Sequence, residues 1–147
     1  RAGDSAAPAC ISGGGVVFVL AHMSGPLSTR RLLETLAEPT RFRIVNCLSA
    51  APLFVSDLQA LLGVPQPTVS RHLRVLREVG VVRDTPIGQF VLYRLRRPAE
   101  PLGRLLAAAL DAARDEPALR TERANAWTEG RRRAHQRTAP PVEGRSP

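Results

Sequence analysis

The sequence predicts a mainly α-helical domain carrying one β-hairpin, and three observations lead there. Residues 56–79, SDLQALLGVPQPTVSRHLRVLREV, divide into two short amphipathic helices joined by a tight turn. Two β-branched and aromatic runs follow, VVRDT and FVLYRL, separated by the turn signal Pro86-Ile87-Gly88-Gln89. Segments with helical periodicity stand on both sides, at 27–50 and 101–114. A short helix, a turn, a second helix with polar and basic residues at its start, and a hairpin beside them make a winged helix-turn-helix.

Taken in order, residues 1–25 are Gly/Ala/Ser-rich with no helical period and are expected to form a disordered extension. The only Met is Met23, so translation is expected to start there, with 1–22 as an added segment; a disordered arm with a short apolar plug is the alternative. Leu32, Leu33 and Leu36 mark a first helix over 27–37, with Ser28 or Ser24 near its start. Pro39 breaks it and suits the first turn of a second helix, about 40–50, burying Phe42, Ile44, Val45 and Leu48. Ser56 with Gln59 reads as a capping box, so the third helix is expected to begin at Ser56. Its stripe is Leu58, Leu61 and Leu62, and Gly63 stops it. Pro67 fits the first turn of the fourth helix. There Val69, Leu73 and Leu76 form the buried stripe, and Gly80 is the end. Gln66, Thr68, Ser70, Arg71 and Arg74 remain on or near the solvent side.

The hairpin is expected over about 81–95, ended by Arg96, Arg97 and Pro98. The 101–114 helix repeats Leu102, Leu105, Leu106, Ala109, Leu110 and Ala113. That stripe is wider and richer in Ala than one intramolecular contact needs, so it is assigned to dimerisation; a terminal helix covering its own core is the alternative. Residues 26–115 are thus expected to form one folded domain for DNA binding and dimerisation. Residues 116–147 are expected to be a basic tail, partly helical (Leu119 and Trp127 suggest to about 134) and then disordered.

The formal charge is +8, and all 21 basic residues are Arg. Residues 26–115 hold 13 Arg against 8 carboxylates, so the charge belongs to the folded region as well as the end of the chain. A polyanion is the default partner. Cys10 and Cys47 are the only cysteines and show no metal-ligand spacing, which argues against a disulfide framework and for a reducing compartment. The longest apolar run, residues 16–21, is too short to span a membrane. No catalytic constellation stands out: Ser70 and His72 lie two apart on one helix and point differently, and Gly13-Gly14-Gly15 lacks the Lys of a phosphate loop.

The succession LAEPTRFRIVNCL, FVSDLQALLGVPQPTVSRHLRVLREVGVV and GQFVLYRL resembles the ArsR/SmtB family of winged-helix repressors over about residues 27–115. The resemblance implies a cytoplasmic homodimer with its first and last helices at the interface, placing Leu32, Leu33, Leu36, Leu102, Leu105, Leu106, Ala109, Leu110 and Ala113 there. It also implies a near-palindromic operator on double-stranded DNA and repression relieved by a signal.

For base edges the candidates are Gln66, Thr68, Ser70 and Arg71, with Arg74 and Arg77 on phosphates. His72 closes the core side or touches phosphate. Arg83, Arg94 and Gln89 are the wing's candidates, since its tip has no Arg. The family's thiol-rich signal site falls at Leu53-Phe54-Val55-Ser56-Asp57, which has no thiol, and the 101–114 helix has no His. No metal site of those types and no cofactor is therefore expected, and the effector is left open. Cys47 is read as a small buried core residue, with a redox thiol as the alternative. Two rival functions are a low-specificity architectural DNA-binding protein and a winged-helix protein-interaction module.

Overall fold

The computed structural model describes residues 27–138. The expectations for 1–25, including the Met23 start and Cys10, and for the stretch after 138 lie outside the described residues. The order is α1 (Thr29–Leu36), α2 (Pro39–Ala50), β1 (Leu53–Phe54), α3 (Val55–Leu62), α4 (Gln66–Val79), β2 (Val82–Ile87), β3 (Phe90–Leu95), α5 (Leu102–Ala112), a 3-10 turn (Ala113–Asp115) and α6 (Pro117–Thr138).

Local chemistry sets most boundaries. The Ser28 hydroxyl accepts from Arg31 N–H and caps α1. Glu38 accepts from the N–H groups of Thr40 and Arg41, with Pro39 in the first turn of α2. The Arg41 guanidinium turns back to donate to Thr35 O at 2.6 Å, holding the α1–α2 corner. Burial alone would raise the Glu38 pKa, but the two backbone donors and nearby His72 outweigh it, and the net shift is downward. The stabilisation this carboxylate contributes is therefore present above the ordinary carboxylate range and is lost as pH falls below it. Gly63 (φ 64°) and Gly80 (φ 84°) end α3 and α4 in the left-handed region.

Helix α3 starts one residue earlier than the Ser56–Gln59 pattern suggested. Asp57, not Gln59, reaches back: its Oδ2 accepts from Phe54 N–H at 3.0 Å, while Ser56 stays exposed. Phe42 is only half-buried, and the inner face of α2 is made instead by Ile44, Val45, Cys47 and Leu48 together with Asn46.

The hairpin belongs to a three-stranded antiparallel sheet, ordered β1-β3-β2. Leu53 pairs with Tyr93 and Phe54 with Leu92, a two-residue strand too short to show periodicity in the sequence. The turn is tighter than expected: Pro86 and Ile87 remain in β2, and only Gly88 (φ 59°) and Gln89 form the loop. Pro86 is tolerated because β2 is an edge strand.

One core joins α1 through α4, the sheet, α5 and α6, centred on Leu32, Ile44, Leu53, Leu58, Leu73 and Leu76. The folded unit runs past the expected boundary at 115. Helix α6 lies along α2 and reaches α3 and β1, burying Leu119 and Ala126. Three polar contacts fasten it. Asn46 Nδ2 donates to Leu119 O at 2.8 Å, Arg43 binds Glu122 with both nitrogens of its fork, and Arg133 Nη2 meets Asp57 Oδ1 at 2.6 Å.

Gly130 is what lets α6 approach α2 so closely, since a Cβ there would overlap the Ala51 methyl group. In an open helix, Gly→Ala is stabilising by about 1 kcal/mol. Here overpacking reverses the sign, and Gly130→Ala is expected to destabilise by about 1–2 kcal/mol in urea titration.

Candidate nucleic-acid interface

Helix α4 is anchored by Val69, Leu73, Leu76 and Val79, all buried. With 3.6 residues per turn, this stripe turns the opposite face outward. Gln66, Ser70, Arg71 and Arg74 are exposed on α4 together with Arg77, and Thr68 is half-buried. Arg74 Nε stands 3.5 Å from Glu78 on the next turn, an exposed pair of small energetic weight. The first two turns of α4 therefore offer a free polar surface held on a rigid apolar base.

The other candidates are placed differently. His72 is half-buried, its Nδ1 3.4 Å from Glu38 Oε2, which puts it on the side of α4 that meets the N-terminus of α2. Arg77 Nη1 donates to Asp84 Oδ2 at 3.0 Å and ties the end of α4 to β2.

In the hairpin register Arg83 stands opposite Arg94, and Asp84 opposite Tyr93. Strand alternation puts those two pairs on opposite faces. The Asp84 face turns to α4, so Arg83 and Arg94 lie on the other side of the wing. Like charges directly opposite repel, and Arg94 Nε is buried without a hydrogen-bond partner among the described residues. Gln89 is exposed at the wing tip.

The apolar residues assigned to dimerisation separate into two groups. Leu32, Leu106, Leu110 and Ala113 fill the chain's own core. Leu33 is 50% exposed, and Leu36, Leu102, Leu105 and Ala109 are half-buried.

Cys47 is fully buried on α2. Burial first, then the Glu122 carboxylate, pushes its thiol up to about 12, with Arg43 opposing. Such a thiol is protonated at neutral pH and a poor nucleophile. In a Cys10→Ser background, iodoacetamide is expected to label the folded chain no faster than the chain unfolds. Rapid labelling at pH 8 without unfolding would contradict the burial.

Among the described residues no group of three or more His, Cys, Asp or Glu is placed to hold a metal ion, and no helix is long and apolar enough to cross a membrane. Sequence reading missed the contacts that hold α6 to α2 and α3, made by Arg43 with Glu122 and by Asp57 with Arg133. The available signals were Arg43 and Asn46 one turn apart beside the apolar run of α2, and Glu129 four residues before Arg133.

An exposed polar helix start, an apolar anchor, a preceding helix across a glycine turn and a hairpin alongside define a winged helix-turn-helix protein. The comparisons agree. The family described as "Helix-turn-helix domain" matches residues 36–85. The HTH-type transcriptional regulator Rv2034 of Mycobacterium tuberculosis is 41% identical over 73 residues, covering 50% of this chain and 68% of the relative. The HTH-type transcriptional repressor SmtB of the same species is 47% identical over 64 residues, 44% of this chain and 47% of the relative. The transcriptional repressor BigR of Xylella fastidiosa matches in structure with a TM-score of 0.51 at 32% identity, covering 56% of this chain and 80% of that one. The chain belongs to the ArsR/SmtB family of helix-turn-helix regulators. Its alignments span about half the length of several curated relatives, SmtB among them.

Proposed function

We propose that the chain is a transcriptional repressor that binds double-stranded DNA as a homodimer, reading a near-palindromic operator in the major groove with α4. The observation that carries the reading is the exposed set Gln66, Ser70 and Arg71 on the first turns of α4, with Arg74 one turn on. Arg donates two hydrogen bonds to guanine O6 and N7, and Gln donates to adenine N7 while its amide oxygen accepts from the N6 amine. Thr68 contributes at the helix start, and Arg74 contacts phosphate. Arg77 reaches phosphate only by leaving Asp84. His72 acts as a support for α4 rather than a contact. Arg83 and Arg94, across the wing from α4, attract the flanking backbone, and Gln89 serves the tip.

For the homodimer, the exposed Leu33 and the half-buried Leu36, Leu102, Leu105 and Ala109 are the residues a second copy covers. Leu32, Leu106, Leu110 and Ala113 act beneath them as core. The reading has no catalytic role, and a DNA partner places the work in the cytoplasm.

A footprint on DNA from the chain's own upstream region, at stated salt, tests the proposal. Two protected half-sites about 34 Å apart, one turn of DNA, are expected for a two-fold dimer. Uniform weak coverage that falls steeply with salt would mean phosphate binding alone, and the operator reading would be wrong.

A further inference from the structure

We propose that the cleft between the C-terminal end of α2, the 3-10 turn and α6 binds a small aromatic carboxylate. The inference stands on the geometry of that cleft and is independent of the DNA-binding reading.

The cleft is a shallow depression of about 680 Å³, the size of a small-ligand site. Arg114, Arg120 and Arg123 line it with Trp127, and the rest of the lining is Ala, Ser and Thr, with no carboxylate. Arg114 is paired with Asp111 at 3.2 Å, and the neighbouring Glu122 is committed to Arg43. Among the described residues no carboxylate lies within ion-pair distance of Arg120 or Arg123. Arg123 Nη1 is shut off from solvent and has no hydrogen-bond partner among the described residues. A buried donor left unmade is costly, and a turn of the Arg123 side chain toward an anion in the cleft would give Nη1 the partner it lacks. Burial first and then the Arg114 charge lower the Arg123 pKa, with the Asp111 carboxylate opposing them.

The second element is the indole. Trp127 is the only Trp in the chain, is 51% exposed, and has the Arg131 guanidinium 4.7 Å from its ring centre. An inorganic anion would satisfy Arg123 and leave the indole uncovered. A neutral aromatic would cover the indole and leave Nη1 unsatisfied. Duplex DNA offers phosphates, but its bases are stacked away from a surface ring. An aromatic carboxylate meets both needs, its oxygens on the Arg fork and its ring against the indole and the small side chains. Arg114 and Arg123 also line an adjoining cleft of about 430 Å³, but that one carries the carboxylates Glu100 and Asp111 and suits an anion less well.

The test uses the full chain with benzoate as probe, read by calorimetry and by Trp127 fluorescence. Saturable one-to-one binding is expected. Benzamide, neutral and of the same shape, and sulfate, an anion without a ring, are expected to bind at least about tenfold more weakly, as is benzoate to Arg123→Gln. Trp127→Leu is expected to weaken benzoate but not sulfate. Circular dichroism confirms that both variants keep their helix content, since neither side chain is in the core. Equal binding of benzamide, wild-type affinity in Arg123→Gln, or no saturation by benzoate at millimolar concentration would each overturn the proposal. So would duplex DNA that changes Trp127 fluorescence where benzoate does not, which would assign the patch to nucleic acid.

Discussion

Asp57→Ala is expected to lower the free energy of unfolding by about 3 kcal/mol and to loosen the C-terminal half of α6 from the helix-turn-helix. Asp57 is 4% exposed and does two jobs. One carboxylate oxygen accepts Phe54 N–H and caps α3, and the other holds Arg133. Losing an N-terminal cap costs about 1 kcal/mol. Breaking a buried ion pair costs about 3–5 kcal/mol when the surviving charge is stranded. Arg133 is not fully stranded: its side chain is one-third exposed, and its Nε already meets Glu129 at 3.0 Å. The total therefore falls at the low end of that range. Asp57→Asn retains an acceptor for Phe54 N–H and is expected to lose less than Asp57→Ala. Urea midpoints at unchanged slope would show the order, and a loss below about 1 kcal/mol for Ala would contradict the role given to this pair.

Leu76→Ala is the second large effect, about 3–4 kcal/mol. Leu76 is fully buried beside Leu73 in the layer that seats α4 on the core. Truncation opens a cavity beneath the helix that carries the exposed polar face, so unfolding and loss of DNA affinity are expected together. Leu33→Ala removes the same atoms from a half-exposed site on α1. Its cost to the folding of a single chain is expected to be within about 1 kcal/mol. The contrast between the two, measured by denaturant titration, separates burial from side-chain chemistry.

The helices were legible because their signals are local. Gly63, Gly80, Pro39 and Pro67 punctuate the chain by backbone geometry alone, and the Val69-Leu73-Leu76 stripe fixes which way α4 faces. What stayed hidden depends on pairs distant in sequence. Strand β1 is two residues long and exists only because β3 lies beside it. Helix α6 carries few apolar residues and shows no strong stripe, because Asn46, Arg43 and Asp57 hold it through polar contacts. Its composition therefore reads as a solvated tail.

The candidate site divides the same way. The exposed face of α4 follows from periodicity, whereas the diversion of Arg77 to Asp84 and of His72 to Glu38 depends on where β2 and α2 fall. The apolar repeat of 102–113 was visible, but not which of its members the chain's own core would take. The grouping of Trp127 with Arg123 was hidden for the same reason: Trp127 reads only as a sign of continued helix until Arg114 is brought beside them.

The central claim is that α4 reads DNA, and a matched pair of arginine variants tests it most directly. Fluorescence anisotropy on the footprinted operator, at one fixed salt concentration, compares Arg71→Ala with Arg120→Ala. Each removes a single positive charge from an exposed helix position. Arg71→Ala is expected to weaken binding by about 1–3 kcal/mol and to narrow the gap between operator and random DNA, whereas Arg120→Ala leaves that gap unchanged. Equal small losses in the two variants, with the gap intact in both, would contradict recognition through α4.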